Sequence, residues 1–194
     1  MGFPVVGIGA SAGGLAALTE FLRHLPTGTG MAFVVIQHLA AEYPSQLPAL
    51  LQPTTTLPVA AAVDGAEVRP DHVYVITSNT DLAIDGNVLR VTPREDGTRL
   101  HLSIDHFLRS LAAKRPGRRI AVILSGSGSD GTLGVAAIKA AGGMTFAHDD
   151  SAEHSAMPMN AISHGCVDFV LAPADIARAL AGYALNGFPE PSPC

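Results

Sequence analysis

Val5-Val6-Gly7-Ile8-Gly9-Ala10-Ser11-Ala12-Gly13-Gly14, with the helical stretch from Leu15 to Leu25 behind it, decides how this chain folds. Val5 to Ile8 is a short apolar, β-branched run, the composition of a strand buried on both faces. Leu15, Leu18, Phe21, Leu22 and Leu25 then recur at helical spacing until Pro26 ends the pattern. The glycines between them suit a strand that reverses sharply into a helix packed close on the sheet. Ser11 is thereby expected at the tip of a tight turn, beside helix N–H groups that favour negative charge. Three readings stay open at this point. Gly9 to Gly13 fits G-x-S-x-G, the elbow that presents a nucleophilic serine. Gly7 to Ala12 fits the looser G-x-G-x-x-A of a dinucleotide turn. A glycine-rich turn without chemistry is the third.

The second half of the unit follows at once. Met31 to Ile36 reads as another buried strand and runs into Gln37-His38-Leu39. Strand, helix and strand in so short a span form a βαβ unit, which requires a parallel sheet and a right-handed crossover. Further along, Ile120 to Leu124 is a third buried strand opening into Ser125-Gly126-Ser127-Gly128-Ser129-Asp130-Gly131, with a helix to about Ala141. Met144 to Ala147 and Val167 to Leu171 complete the strands, with helices over Met157–His164 and from Pro173 to about Leu185. Leu57 to Val63 is an edge strand, because Pro58 cannot donate to a ladder on both sides. A short helix is expected within Tyr43–Gln52. His72–Ile76, Leu82–Ile84 and Val88–Val91 read as an antiparallel insert turning at Asp85-Gly86-Asn87. Ser103 is expected to cap a helix ending at Lys114. The fold class is therefore α/β: a doubly wound, mainly parallel sheet flanked by helices, with an antiparallel hairpin insert.

Composition narrows the function classes. The 194 residues suit one domain with a real core, 47% of them hydrophobic, with a formal net charge of −5. No basic run points to nucleic acid, and no run of about eighteen apolar residues points to a membrane span. The N-terminus has no basic segment before its apolar run, so a cytoplasmic location is expected. Cys166 and Cys194 form no disulfide framework or zinc knuckle and read as a small core residue and a tail residue. His101, His106, His148, His154 and His164 lack metal-ligand spacing and are expected mostly at the surface, so neither a metal nor a cofactor is expected. Asp149, Asp150 and Glu153 read as a solvated acidic turn.

Three polar residues share one situation. Ser11, His38 and Asp130 each lie just beyond a buried strand. In a parallel sheet the carboxyl ends of the strands lie along one edge, where open α/β proteins bind ligands. A serine, a base and a carboxylate meeting there are the components of an activated nucleophile. Backbone N–H groups of Ala12 and of the Ser127–Asp130 loop are candidate oxyanion donors. The dinucleotide reading loses ground, because it wants an acid near the end of the second strand, where Gln37 and His38 stand.

Gly9-Ala10-Ser11-Ala12-Gly13-Gly14, Gln37-His38-Leu39, Leu124 to Thr132, Ala140-Ala141-Gly142-Gly143, Met157-Pro158 and Val167-Asp168 follow one another in the order of a known family. From about Val5 to Tyr183 the chain resembles the catalytic domain of chemotaxis protein-glutamate methylesterases, the CheB type. The resemblance implies a serine hydrolase, a carboxylic ester hydrolase that frees glutamate and methanol from glutamyl methyl esters, with glutamine deamidation in some members. It implies Ser11 as nucleophile, His38 as base and Asp130 as its partner, with no cofactor and no metal. The implied partners are methylated cytoplasmic helices of chemoreceptors. Ala12 stands where the family often has Thr and Ser127 where it often has Met: if these positions act through backbone N–H groups the chemistry is kept, and if their side chains matter the substrate fit changes. Members of this family often carry an N-terminal receiver domain, whereas Asp71 to Ile84 and Ile104-Asp105-His106-Phe107 look closer to forms fused with a methyltransferase and sensor modules. The expectation is a catalytic domain over 1–185, excised from a longer chain, and a flexible tail or linker over 186–194. The rival expectation is a catalytically silent signalling module of the same fold, for which retention of Ser11, His38 and Asp130 together would be superfluous.

Overall fold

The computed structural model describes residues 2–38, 46–94, 102–190 and 194. Strand β1 (Val5–Ala10) is the middle of a parallel sheet of seven strands. Helix α1 (Gly14–Arg23) carries the chain back to β2 (Ala32–Gln37), which pairs with β1 from Val5↔Ala32 to Ala10↔Gln37. After α2 (Leu47–Leu51), β3 (Val59–Ala61) forms one edge of the sheet and β4 (Val73–Val75) fills the place between it and β2. The chain then leaves the sheet for β5 (Thr80–Asp85), β6 (Val88–Pro93) and α3 (Ser103–Lys114). It returns on the other side of β1 as β7 (Arg119–Ile123). The crossovers α4 (Thr132–Ala140) and α5 (Ala156–Ser163) lead through β8 (Met144–His148) to the far edge β9 (Phe169–Leu171), and α6 (Pro173–Asn186) follows. The spatial order is β3-β4-β2-β1-β7-β8-β9, so the winding direction reverses at β1.

Alternation along β1 separates two cores. Val6, Ile8 and Ala10 pack with Leu18, Phe21 and Leu22 of α1 and Ile176 and Leu180 of α6. The opposite face of the sheet meets Ile104, Phe107 and Leu108 of α3, with Val135 and Ile138 of α4 beyond. On that face β1 has Gly7 and Gly9, and α3 fills the space. A Cβ at Gly7 would stand 2.6 Å from Leu108 Cδ2, and one at Gly9 2.5 Å from Ile104 Cγ2. The missing side chains let α3 lie almost on the backbone of β1. This close approach of a helix, rather than of a pyrophosphate, accounts for the Gly7-Ile8-Gly9 spacing.

Several expectations change. Val73–Val75 is a parallel strand of the main sheet with every residue buried, so the antiparallel insert reduces to β5 and β6. That hairpin is packed into the core: Leu82, Ile84 and Leu89 are fully buried, and Ile84 N–H donates to Ser110 Oγ of α3 at 3.0 Å. Ser103 is buried at the first position of α3 and makes no side-chain cap there. His148, the last residue of β8, is buried rather than at the surface, while His106, His154 and His164 are exposed and His101 lies outside the described residues. Cys166 and Cys194 are joined in a disulfide, and Phe188 packs against Tyr183 and under the Arg118 guanidinium. The residues 43–45 of the expected short helix also lie outside the described residues. No helix among those described is long and apolar enough to cross a membrane.

Candidate active site

Neighbouring strands β2, β1 and β7 end side by side, and their ladder runs on into the loops. His38 N–H donates to Ala10 O, Leu124 N–H to Gly9 O, and Ser11 N–H to Ser125 O at 3.0 Å. Ser11, His38 and the 125–130 loop are thus fixed by backbone before any side chain contributes. Ser125, buried, tightens the frame: its Oγ donates to Ala12 O at 2.8 Å and accepts from His154 N–H at 3.0 Å. Gly126 lets the loop pass, since a Cβ there would lie 2.9 Å from Ser11 Cβ and 2.5 Å from Met157 Cε. Asn160 of α5 holds the loop from outside by donating to Gly128 O at 2.8 Å.

Ser11 Oγ lies 3.1 Å from His38 Nδ1, and His38 Nε2 lies 2.7 Å from Asp130 Oδ2. A carboxylate can only accept, so Nε2 carries the hydrogen toward Asp130 and Nδ1 is left to accept from the serine hydroxyl. The ring is turned the other way from the best-known serine hydrolases, in which Nε2 faces the serine. Either nitrogen of a neutral imidazole can accept a proton. The imidazole is about one-third exposed, whereas Asp130 is buried.

Asp130 is where the site joins the fold. Its Oδ2 also accepts Ile104 N–H at 3.0 Å, and Oδ1 accepts Asp105 N–H at 2.9 Å. The first-turn amides of α3 have no partners within the helix, and this carboxylate from a distant loop takes them up. The arrangement repeats one layer out: Asp105 Oδ1 accepts Gly134 N–H, in the first turn of α4, at 2.7 Å. Burial pushes the Asp105 carboxyl above its ordinary range; the Gly134 amide opposes this and neighbouring Asp130 adds to it.

Ser127, Gly128, Ser129 and Asp130 form one wall of a cavity of about 400 Å³ whose other sides include His38, Leu102 and Arg94. The structure therefore brings Ser11, His38 and Asp130 together, puts Ala12 in the turn after Ser11, and sets Ser127 on the cavity wall. Arg94, just past β6, is a site residue that sequence reading missed, because a lone arginine at a hairpin end looks like a solvated charge. A second cavity, of about 440 Å³, lies on the other side of the serine turn against Gly13, Ser125, His148 and Glu153. Among the described residues no group of three or more His, Cys, Asp or Glu could hold a metal ion.

Comparison with known proteins agrees with this arrangement of strands and loops. A family model described as CheB methylesterase matches residues 6–180. A Rhizobium meliloti relative, "Protein-glutamate methylesterase/protein-glutamine glutaminase of group 3 operon", is 33% identical over 96% of this chain and 53% of its own. A Burkholderia pseudomallei protein of similar name is 35% identical over 91% of this chain and 52% of its own. The crystal structure of the Thermotoga maritima CheB methylesterase catalytic domain superposes with a TM-score of 0.83 at 30% identity, over 94% of this chain and 98% of that one. The chain spans about half the length of the curated relatives it matches. With the family model covering nearly all of the described sheet, this chain belongs to the CheB methylesterase family.

Proposed function

We propose that this chain is the catalytic unit of a protein-glutamate methylesterase, with Ser11 as nucleophile, His38 as general base and Asp130 orienting it. The observation that carries the proposal is the continuous contact from Ser11 Oγ through His38 to Asp130, at 3.1 and 2.7 Å, within a member of that family. Ser11 Oγ attacks the ester carbonyl carbon as its proton passes to His38 Nδ1. The tetrahedral intermediate collapses, the C–O bond to methoxide breaks, and His38 returns the proton so that methanol leaves. Water, deprotonated by the same nitrogen, attacks the glutamyl ester of Ser11 and frees the glutamate carboxylate. Asp130 holds the ring in the required tautomer and stabilises the transient imidazolium. The negative oxygen is stabilised by backbone N–H groups (that of Ala12 and those of the Ser127–Asp130 loop), as the positive end of α1 lies beside the serine turn. A glutamine side chain presents the same carbonyl, and its deamidation would release ammonia by the same steps.

The proposed substrates are methylated cytoplasmic helices of chemoreceptors, which places the protein in the cytoplasm, and no cofactor takes part. Residues 1–185 are taken as the catalytic unit, with 186–194 as tail or linker in a longer parent chain that carries a methyltransferase or sensor module. The length of the relatives supports the longer chain. Methanol release from methylated receptor cytoplasmic fragments, compared between the parent protein and Ser11→Ala, tests the reading. Release that disappears in Ser11→Ala is expected. Equal release removes Ser11 from the mechanism, and no release from the parent leaves a silent signalling module.

A further inference from the structure

His38 and Asp130 take up only part of the lining of the cavity beside them. Among the described residues that line it, Arg94 is the one arginine and Asp130 the one carboxylate. Asp130 is already committed to His38 and to two amides of α3. Arg94 is anchored through a single nitrogen: Nη2 donates to Ser103 Oγ at 2.8 Å and to Thr80 O at 3.3 Å. Its Nε is buried without a hydrogen-bond partner and stands 3.7 Å from Asp81 Oδ1, so the donors left for a ligand are those of Nη1, which makes no hydrogen bond among the described residues. The side chain is about one-quarter exposed. A guanidinium held in this way is pre-oriented and keeps donor capacity for a second, better-placed carboxylate.

The uncharged γ-methyl ester of a substrate offers that cation nothing that a neutral donor would not supply. We infer that Arg94 is a specificity-determining residue, which receives a carboxylate borne by the same polypeptide close to the ester under attack. The enzyme would thereby select acidic segments and seat the ester against Ser11. This inference rests on the esterase reading above for its rate measurements but not for its binding measurement. Ser103 ties the two roles together: Arg94 grips the first residue of α3, whose next two amides hold Asp130. A carboxylate drawn to Arg94 therefore enters beside the base.

The test uses two helical peptides, each with one glutamyl γ-methyl ester, carrying glutamates or glutamines within one turn of it. The parent protein is expected to favour the glutamate peptide about tenfold in kcat/KM, mostly through KM, with the preference shrinking in high salt. In R94Q the ratio should fall to about one. R94K, which keeps the charge and loses the fork, should fall between them. Calorimetric binding of both peptides to Ser11→Ala protein, with and without R94Q, should show the same ratios without turnover. A parent protein with no preference, or R94Q with the preference intact, overturns the inference. So does R94Q relieving only inhibition by the demethylated glutamine peptide, since Arg94 would then serve the product carboxylate. Selective binding without hydrolysis by the parent protein would uphold Arg94 and sink the esterase reading.

Discussion

Replacing Asp130 by asparagine changes one atom of the site and asks it to do two incompatible things. The carboxylate now accepts three hydrogens, from His38 Nε2, Ile104 N and Asp105 N. An amide has a single acceptor oxygen. If that oxygen takes the place of Oδ2, His38 and Ile104 keep their partner, while the amide NH2 confronts Asp105 N–H. If it takes the place of Oδ1, the NH2 points at both Ile104 N–H and Nε2. The imidazole must then move its hydrogen to Nδ1, where it can no longer accept from Ser11. The second arrangement costs about 10⁴-fold, the size expected when the base is held in the wrong tautomer. The first keeps the tautomer but removes the charge opposite the imidazolium. At about 4 Å and an effective dielectric near 20, that attraction is about 4 kcal/mol, or roughly 10³-fold in rate. Both arrangements leave one helix amide facing a donor, which costs about 1–2 kcal/mol of stability. Initial rates of methanol release at saturating substrate should therefore fall 10³- to 10⁴-fold, with a small drop in the urea midpoint. A folded Asp130→Asn protein within tenfold of the parent's kcat would refute the assignment of Asp130.

Two further outcomes follow from packing and burial. Gly9→Ala puts a Cβ 2.5 Å from Ile104 Cγ2, so α3 must move outward; about 1–3 kcal/mol of stability should be lost, and activity with it, by urea denaturation and rate assay. A neutral Gly9→Ala would mean that α3 is not held against β1 as described. Burial holds the His148 imidazole below its ordinary pKa, partly opposed by Asp149 and Glu20. The unfolded chain then binds a proton that the folded one refuses as pH drops below about 6.5, so this contribution is present at neutral pH and is lost on acidification. Folding free energy of the parent should fall more steeply between pH 7 and 5 than that of His148→Gln, by up to about 1.4 kcal/mol per pH unit. Parallel curves would count against a neutral buried His148.

What could be read from the chain alone divides along a physical line. Val5–Ile8, Met31–Ile36 and Ile120–Leu124 are apolar on both faces, so they announce parallel strands, and the residue after each strand falls on one edge by geometry alone. The placement of Ser11 and His38 was legible for that reason, and that of Asp130 because its loop opens from the third of these strands. Val73-Tyr74-Val75 was misplaced because a three-residue buried strand has no periodicity to separate it from a hairpin arm, and a turn at Ser78-Asn79 follows just beyond it. Ser103 looked like a cap because serine before an apolar helix is a local signal. The position is overruled by Asp130, 27 residues away, whose charge satisfies two amides at once, and Ser103 Oγ accepts from Arg94 instead. Arg94 and His148 carry no local signal at all: what matters for each is a cavity or a core assembled from other strands.

Asp130 shows why the site cannot be reduced to its motifs. The glycine loop supplies the carboxylate, but its direction is set by α3, whose first-turn amides bind both oxygens. Helix α3 can reach that loop only because Gly7 and Gly9 thin the sheet beneath it, and its own Asp105 ties it to the start of α4. Two buried acids thus sit in succession on two helix starts, each placed where unpaired N–H groups and the helix dipole favour a carboxylate. The glycines of the first stretch and the aspartate of the loop after β7 are one device seen from two ends. A substitution that lifts α3 from β1 should therefore disturb His38 without touching it, through the amides that hold Asp130.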